Sequence, residues 1–416
     1  MEELGPVGFE FRGVLVERVD FELRNARGMT IKCSRWTPRI SAAADARDPD
    51  RFLAFFDDDA ARKRNAAAAA RRAAMPTVIY AHGNASCRVE AITALPLVLS
   101  LGLSLVALDT AGSGKSDGRF VSLGHFEQSD VAAVANYLTA TCGVDRIGLW
   151  GRSMGAATCL LYAATMGPET RAVVADSSFG DLRGLCLDMA RSIAPSVPAR
   201  IVDAAVERVC ASVKFYANFS VAGVSPAARV RTCGAPCVLV HGAKDTFIPL
   251  AHAHALYDAY GGRDVELVMD SGGHASARGK KANAATLKLF ARTVADGPPL
   301  FPLNPEYSGG APWSHKWDAP RASLSGARAG GLPPKRRAQS ADRPSRLMSM
   351  LGDLYDNNFD FGSGGPGPSA RPPPPPPPPN AASPKAKARN AEFASGMSDE
   401  RARAIQSGEA IFRRKR

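Results

Sequence analysis

The side chains with the clearest chemical potential sit in Gly151-Arg152-Ser153-Met154-Gly155, a G-x-S-x-G stretch between the apolar run RIGLWG (146–151) and the alanine-rich run AATCLLYAATMG (156–167). A sharp turn from strand to helix holds such a serine in strained backbone geometry. Glycines two residues to either side, Gly151 and Gly155, keep side chains out of the turn, so the hydroxyl projects alone above the strand end. A serine hydroxyl is a weak nucleophile, and it needs a base to take its proton and a carboxylate to fix that base in the right tautomer. The chain order expected for this turn is serine, acid, histidine. Asp245, three residues past CVLVHG (237–242), and His274, four past VELVMD (265–270), supply it.

Other candidates are weighed against these. Asp176, which closes RAVVAD (171–176), is the one serious alternative acid, because such enzymes also draw their carboxylate from that strand. His241 ends a strand and is expected to pack or hydrogen-bond its own loop. His252 and His254 fall on the helix after Pro249, where a solvated or capping role is expected. Two residues apart, they do not share a helix face, so the pair makes no metal site. An oxyanion formed by attack of Ser153 requires two N–H donors. The backbone of Met154, at the helix N-terminus, is one; the backbone of Asn84, in His82-Gly83-Asn84-Ala85 after the run TVIYA (77–81), is the other.

LDTAGSGKSDG (108–118) poses a different question, since Gly114-Lys115-Ser116 ends as a phosphate-binding loop ends. The first glycine of G-x-x-x-x-G-K-[ST] is replaced by Asp109, and the glycine-rich SDGRFVSLG that follows cannot start the helix on which phosphate binding relies. The nucleotide reading is therefore set aside.

The elements that must position these residues are legible as short apolar runs: TVIYA, LSLVALD (103–109), RIGLWG, RAVVADS, CVLVHG and VELVMD read as parallel strands buried on both faces. Amphipathic helices fill most gaps, for instance Val131, Val134, Ala135 and Leu138 between Asp130 and Gly143. Alternating strand and helix predicts an α/β fold with a doubly wound, mostly parallel sheet. Ahead of it, FRGVLVERVDFELRN and MTIKCSRWTP read as two antiparallel strands.

Three segments interrupt this order. Residues 41–75 form an Ala-, Arg- and Asp-rich surface insertion, part helical or disordered, with an apolar island at Phe52, Leu53, Phe55 and Phe56. Residues 180–235 replace a crossover helix with at least two helices broken at Pro195 and Pro198, with apolar stripes at Leu182, Leu185, Cys186 and Met189 and at Ile201, Val202, Ala205, Val206 and Val209; a lid is expected here. Residues 301–416, beyond a body spanning 1–300, read as a disordered basic tail. Its eight prolines from Pro372 to Pro379 suit either a stiff spacer or a docking site for a polyproline-reading adaptor. The terminal RRKR suits a nuclear signal, a peripheral contact with lipid headgroups or a solubilising end.

The net charge of +12 belongs mostly to that tail: 18 Lys and Arg against 10 Asp and Glu from Phe301 onward, leaving +4 for the body, so a nucleic-acid partner is not expected. Eight scattered cysteines read as buried thiols of a reducing compartment, and Cys233 and Cys237 lack a second pair at zinc spacing. With no run of about 18 apolar residues and no secretion-type N-terminus, a cytoplasmic location is expected.

HGN after a strand, D-x-x-G-x-G-x-S-D-G, GRSMG, DSSF, HGxxD and GGH, in this order between about Phe9 and Val294, resemble the α/β-hydrolase superfamily, in particular its serine aminopeptidase-like eukaryotic branch. The resemblance implies Ser153, Asp245 and His274 as a catalytic triad, Asn84 and Met154 as oxyanion hole, and a lid within 180–235. It also implies that the Asp109 loop shapes the pocket wall, with Asp109 supporting the loop and Lys115 facing solvent. No cofactor or metal is implied, and relatives of this kind act mostly on esters and acyl groups. Expected, then, is a serine hydrolase of carboxylic esters, thioesters or related acyl bonds, with a small acyl ester or lipid-like substrate. The alternatives are a catalytically weak scaffold acting through its tail and a serine aminopeptidase, which needs an acidic group for the substrate's α-ammonium. Arg152 either favours an anionic substrate or pairs with an acid behind the turn.

Overall fold

Strands buried on both faces need cover on both faces, and the chain provides it. The computed structural model describes residues 4–39, 58–167, 169–306 and 311–313, apart from the side chains of 58–65. Nine strands form one sheet: β1 (Gly8–Phe11), β2 (Val14–Arg24), β3 (Thr30–Pro38), β4 (Thr77–Ala81), β5 (Ser104–Leu108), β6 (Ile147–Arg152), β7 (Thr170–Asp176), β8 (Cys237–Gly242) and β9 (Val265–Asp270), in the spatial order β1-β2-β3-β5-β4-β6-β7-β8-β9. From β5 to β9 every pairing is parallel, whereas β1, β2 and β3 join the edge antiparallel. Every residue of β4, β5 and β8 is buried, as their unbroken apolar runs require.

Alternate side chains along these strands feed two cores. Val78, Tyr80, Leu105 and Trp150 pack with the helices Leu95–Ser100 and Lys280–Thr293; Ile79, Val106, Leu149 and Leu239 pack with Glu127–Ala140, Met154–Thr165 and Leu250–Ala259. This is the α/β-hydrolase arrangement: a mostly parallel, doubly wound sheet that turns the carboxyl ends of β4 and β6 to β9 toward one rim.

Three details differ from the sequence reading. FRGVLVERVDFELRN is two strands, because Arg12 (φ 52°) and Gly13 (φ 84°) make a tight turn that pairs Phe11 with Val14. The body runs past residue 300: Phe301 packs edge-on against Phe11 at 5.8 Å, Trp313 against Phe9 at 5.4 Å, and the Asn283 amide donates to the Pro305 carbonyl. Those aromatic faces of β1 would otherwise meet water. Third, the two helices after β7, Leu182–Ile193 and Ala199–Ala217, meet the body more narrowly than the stripes suggest. Leu182, Leu185, Cys186 and Met189 pack inward as expected, but only Val202 and Val206 of the second stripe are buried, while Ile201, Ala205 and Val209 face out. Five such positions span more of a helix circumference than one contact covers.

Within 41–75 the structure describes the helix Asp58–Ala73, and the apolar island at 52–56 lies outside the described residues. The polyproline run, RRKR and the rest of the tail beyond 313 lie outside them too.

Candidate active site

Backbone strain marks the turn after β6. Ser153 has φ 51° and ψ −116°, a conformation costing a non-glycine residue about 1–3 kcal/mol, and its N–H donates to the Asp176 carbonyl at 2.8 Å. The flanking glycines are required sterically. A Cβ on Gly151 would lie 2.2 Å from the Gly155 carbonyl oxygen, and one on Gly155 would lie 2.0 Å from that of Ala81. The second contact lets the helix Met154–Thr165 seat directly on the end of β4, which carries the His82–Asn84 loop against the serine.

The three residues expected to act together are adjacent. His274 Nε2 lies 3.1 Å from Ser153 Oγ, and His274 Nδ1 lies 2.8 Å from Asp245 Oδ2. The other oxygen of Asp245 accepts the N–H groups of Phe247 and Ile248, both at 2.9 Å. Burial pushes this carboxyl's pKa up, but the hydrogen bond to His274 and the two amides outweigh it and hold the group below its ordinary value. Asp245 is thus an anchored anion whose side chain is closed off from solvent, while His274 keeps partial exposure. Ring contact with Phe247, at 5.0 Å between centroids, supports the imidazole from one side.

The remaining candidates have other partners. His241 is buried with Nε2 3.0 Å from the Ile248 carbonyl, bracing the Asp245 loop, and burial lowers its pKa. His252 is buried as well, not solvated: its Nδ1 accepts the Gly180 N–H, and its Nε2 lies 3.2 Å from Asp188 on the helix Leu182–Ile193. His254 is exposed. Asp176 takes two hydrogen bonds from Arg278 Nε at 2.7 and 2.9 Å.

Arg278 is a residue that sequence reasoning missed. Buried between β7 and the His274 loop, it also donates to Ser177 Oγ (2.7 Å), the Gly273 carbonyl (3.0 Å) and the His274 carbonyl (3.4 Å). Arg152 donates to the same His274 carbonyl at 2.8 Å, so its guanidinium holds a loop rather than an acid behind the turn. Two arginines therefore fix the backbone that presents the imidazole. The available signal was weak: an arginine four residues after a glycine-flanked histidine, with its acid about a hundred residues upstream.

Glu90 was missed as well, because it acts through a backbone N–H, which leaves no mark on the sequence. Its carboxylate accepts the Tyr80 hydroxyl at 2.9 Å and the Gly83 N–H at 3.3 Å, fixing the loop that carries Asn84. A Cβ on Gly83 would lie 3.7 Å from Ser153 Cβ, so this loop runs alongside the serine. Met154 is the first residue of its helix, where an N–H has no intrahelical acceptor. The Asp109 loop, by contrast, is closed on itself. Asp109 accepts Arg88 N–H and Nη1 at 2.7 Å each and Lys115 N–H at 2.9 Å, so its carboxylate is engaged within the loop. Lys115 is exposed. A recess of about 580 Å³ lined by Leu287, Lys288, Ala291 and Leu303 lies elsewhere and shares no residue with the Ser153 cluster.

Comparison with known proteins follows the same lines. Residues 76–200 match a family described as alpha/beta hydrolase fold. An uncharacterized protein of Bacillus subtilis (strain 168), YqkD, is 26% identical over 201 residues; the match takes in 48% of this chain and 65% of that protein's length. Among solved structures, the Pyrococcus furiosus esterase Pf2001 is 19% identical with a TM-score of 0.46, covering 67% of this chain and 93% of its own. Acetyl xylan esterase 1 from Thermoanaerobacterium sp. is 17% identical with a TM-score of 0.46, covering 67% and 84%.

Proposed function

From the α/β-hydrolase fold of this chain and the match of residues 76–200 to that family, we propose that it is a serine hydrolase of carboxylic esters, thioesters or related acyl bonds. The observation that carries the reading is the unbroken line from Ser153 Oγ through His274 to Asp245, with contacts of 3.1 and 2.8 Å. Ser153 Oγ attacks the acyl carbon as its proton passes to His274 Nε2, and Asp245 stabilises the imidazolium that forms. Charge that develops on the carbonyl oxygen is met by the N–H groups of Met154 and Asn84, each worth about 3 kcal/mol in the transition state. The alcohol or thiol then leaves with the proton from His274. Water, deprotonated by the same imidazole, attacks the acyl-enzyme and releases the acid.

Esters and thioesters are favoured over N-terminal peptide bonds by the state of Glu90. This carboxylate lies beside the serine through Gly83, but Tyr80 and Gly83 already engage it, so it is a poor receiver for a substrate's α-ammonium. A p-nitrophenyl ester series of increasing acyl length, run with wild type and Ser153→Ala, tests the proposal. Turnover by wild type that vanishes in the variant is expected; equal rates in both, or none across the series, would remove the reading.

A further inference from the structure

The helix Ala199–Ala217 has two apolar sides, and only one meets the protein. Val202 and Val206 face the body. At about 100° per residue, Ile201, Ala205, Arg208, Ser212, Phe215 and Tyr216 turn away from it. Of the fourteen large hydrophobic side chains exposed among the described residues, six fall between Ile193 and Tyr216: Ile193, Val197, Ile201, Val209, Phe215 and Tyr216, with Phe215 80% and Tyr216 68% accessible. Scattered apolar side chains at a surface are ordinary; this many on one helical hairpin with two adjacent aromatics is a patch.

The charges of the helix Ala199–Ala217 that remain outside ion pairs among the described residues are of one sign. Both carboxylates of the helix are taken up by arginines of its neighbour, Asp203 by Arg191 and Glu207 by Arg183. Arg200, Arg208 and Lys214 are exposed and make no ion pair among the described residues. Arg208 stands within the apolar face and Lys214 next to Phe215, where long basic stems can lie along apolar surface and raise their charges to a phosphate layer. A protein partner burying this face would have to bring its own acids; an anionic lipid surface offers the headgroup charge and the apolar depth in the same plane.

We propose that the outer face of the hairpin 182–217 docks on an anionic membrane surface, with Phe215, Tyr216, Ile201 and Val209 entering the acyl boundary and Arg200, Arg208 and Lys214 holding headgroup phosphates. The hairpin follows β7, at the same sheet rim as Ser153, so docking sets the serine beside lipid-borne acyl chains. That last consequence rests on the hydrolase reading; the docking does not.

The test is flotation of the full chain carrying Ser153→Ala, which leaves lipids intact, with vesicles of phosphatidylcholine alone or with about 30% phosphatidylserine. Flotation with the anionic vesicles only is expected. Phe215→Ser with Tyr216→Ser should weaken partitioning by more than about tenfold, and Arg208→Glu with Lys214→Glu by about thirtyfold. An unchanged melting temperature would show that the variants fold. Absence of flotation would overturn the proposal. So would flotation that both variants leave intact, which would move binding to the basic tail, or a concentration-dependent dimer abolished by the aromatic variant without vesicle binding, which would make the occupant a second copy. Loss of ester turnover in wild type with flotation intact would count against the hydrolase reading alone.

Discussion

Two glycine-rich turns leave the same rim of the sheet from strands that flank β4, and they use their glycines in opposite ways. After β5, Gly114 takes φ 56° so that the chain can fold around the Asp109 carboxylate, which is consumed by Arg88 and by the Lys115 N–H. After β6, Gly151 and Gly155 absorb the crowding so that Ser153 can hold a strained φ and keep its hydroxyl available to His274. Strain in the first turn is repaid within the turn; in the second it is balanced by packing of the helix on β4, and the side chain remains unspent. A short motif thus takes its meaning from where its polar groups end up: beside GKS at 114–116 the Asp109 carboxylate is engaged by Arg88 and Lys115, whereas the hydroxyl of GRSMG at 151–155 faces His274.

The largest effect that would sharpen this contrast is kinetic. Ser153→Ala should lower kcat by about a million-fold with the melting temperature nearly unchanged, since the proposed reaction uses the hydroxyl and the fold does not. Asp109→Ala should do the reverse. Removing one partner of a buried ion pair strands Arg88 and is expected to cost about 3–5 kcal/mol, measured by urea unfolding, while the folded fraction keeps its rate per molecule.

A pH effect of somewhat smaller size belongs to the same loop. Asp130 accepts the Ala111 N–H and the Asn25 amide, and burial pushes its pKa from the ordinary 3.8 up to about 6. The folded state therefore holds the proton more tightly than the unfolded chain. Its contribution is complete below the ordinary value and is lost as pH rises through about 6, by at most about 3 kcal/mol. Asp130→Asn should flatten the dependence of unfolding free energy on pH across that window; an unchanged slope would show that the proton resides elsewhere. The smallest effect concerns the clamp on the histidine loop. Arg278→Lys keeps the charge but loses the fork to Asp176 and Ser177, and kcat should fall by about tenfold with KM little changed. An equal loss in kcat and stability would make the arginine merely structural.

Much of this was legible in the sequence because each piece obeys a local rule. Six strands announce themselves as apolar runs, and Asp245 and His274 lie three and four residues past the ends of β8 and β9, where an α/β sheet gathers its functional groups. Readings failed where the decisive partner is distant or is a backbone group. Arg278 finds Asp176 across 102 positions, and Glu90 acts through a backbone N–H, which leaves no mark on the sequence. Phe11 and Val14 read as one strand because the Arg12-Gly13 turn costs only two residues. The stripe at 201–209 does not reveal which of its residues meet the body, because apolar periodicity reports that a helix has a greasy side, not which neighbour covers it.

The most direct test of the account is to label the protein with a fluorophosphonate and locate the adduct by mass spectrometry. The account predicts one adduct, on Ser153, absent from Ser153→Ala and strongly reduced in His274→Ala. An adduct on another residue, or equal labelling of wild type and Ser153→Ala, would contradict it.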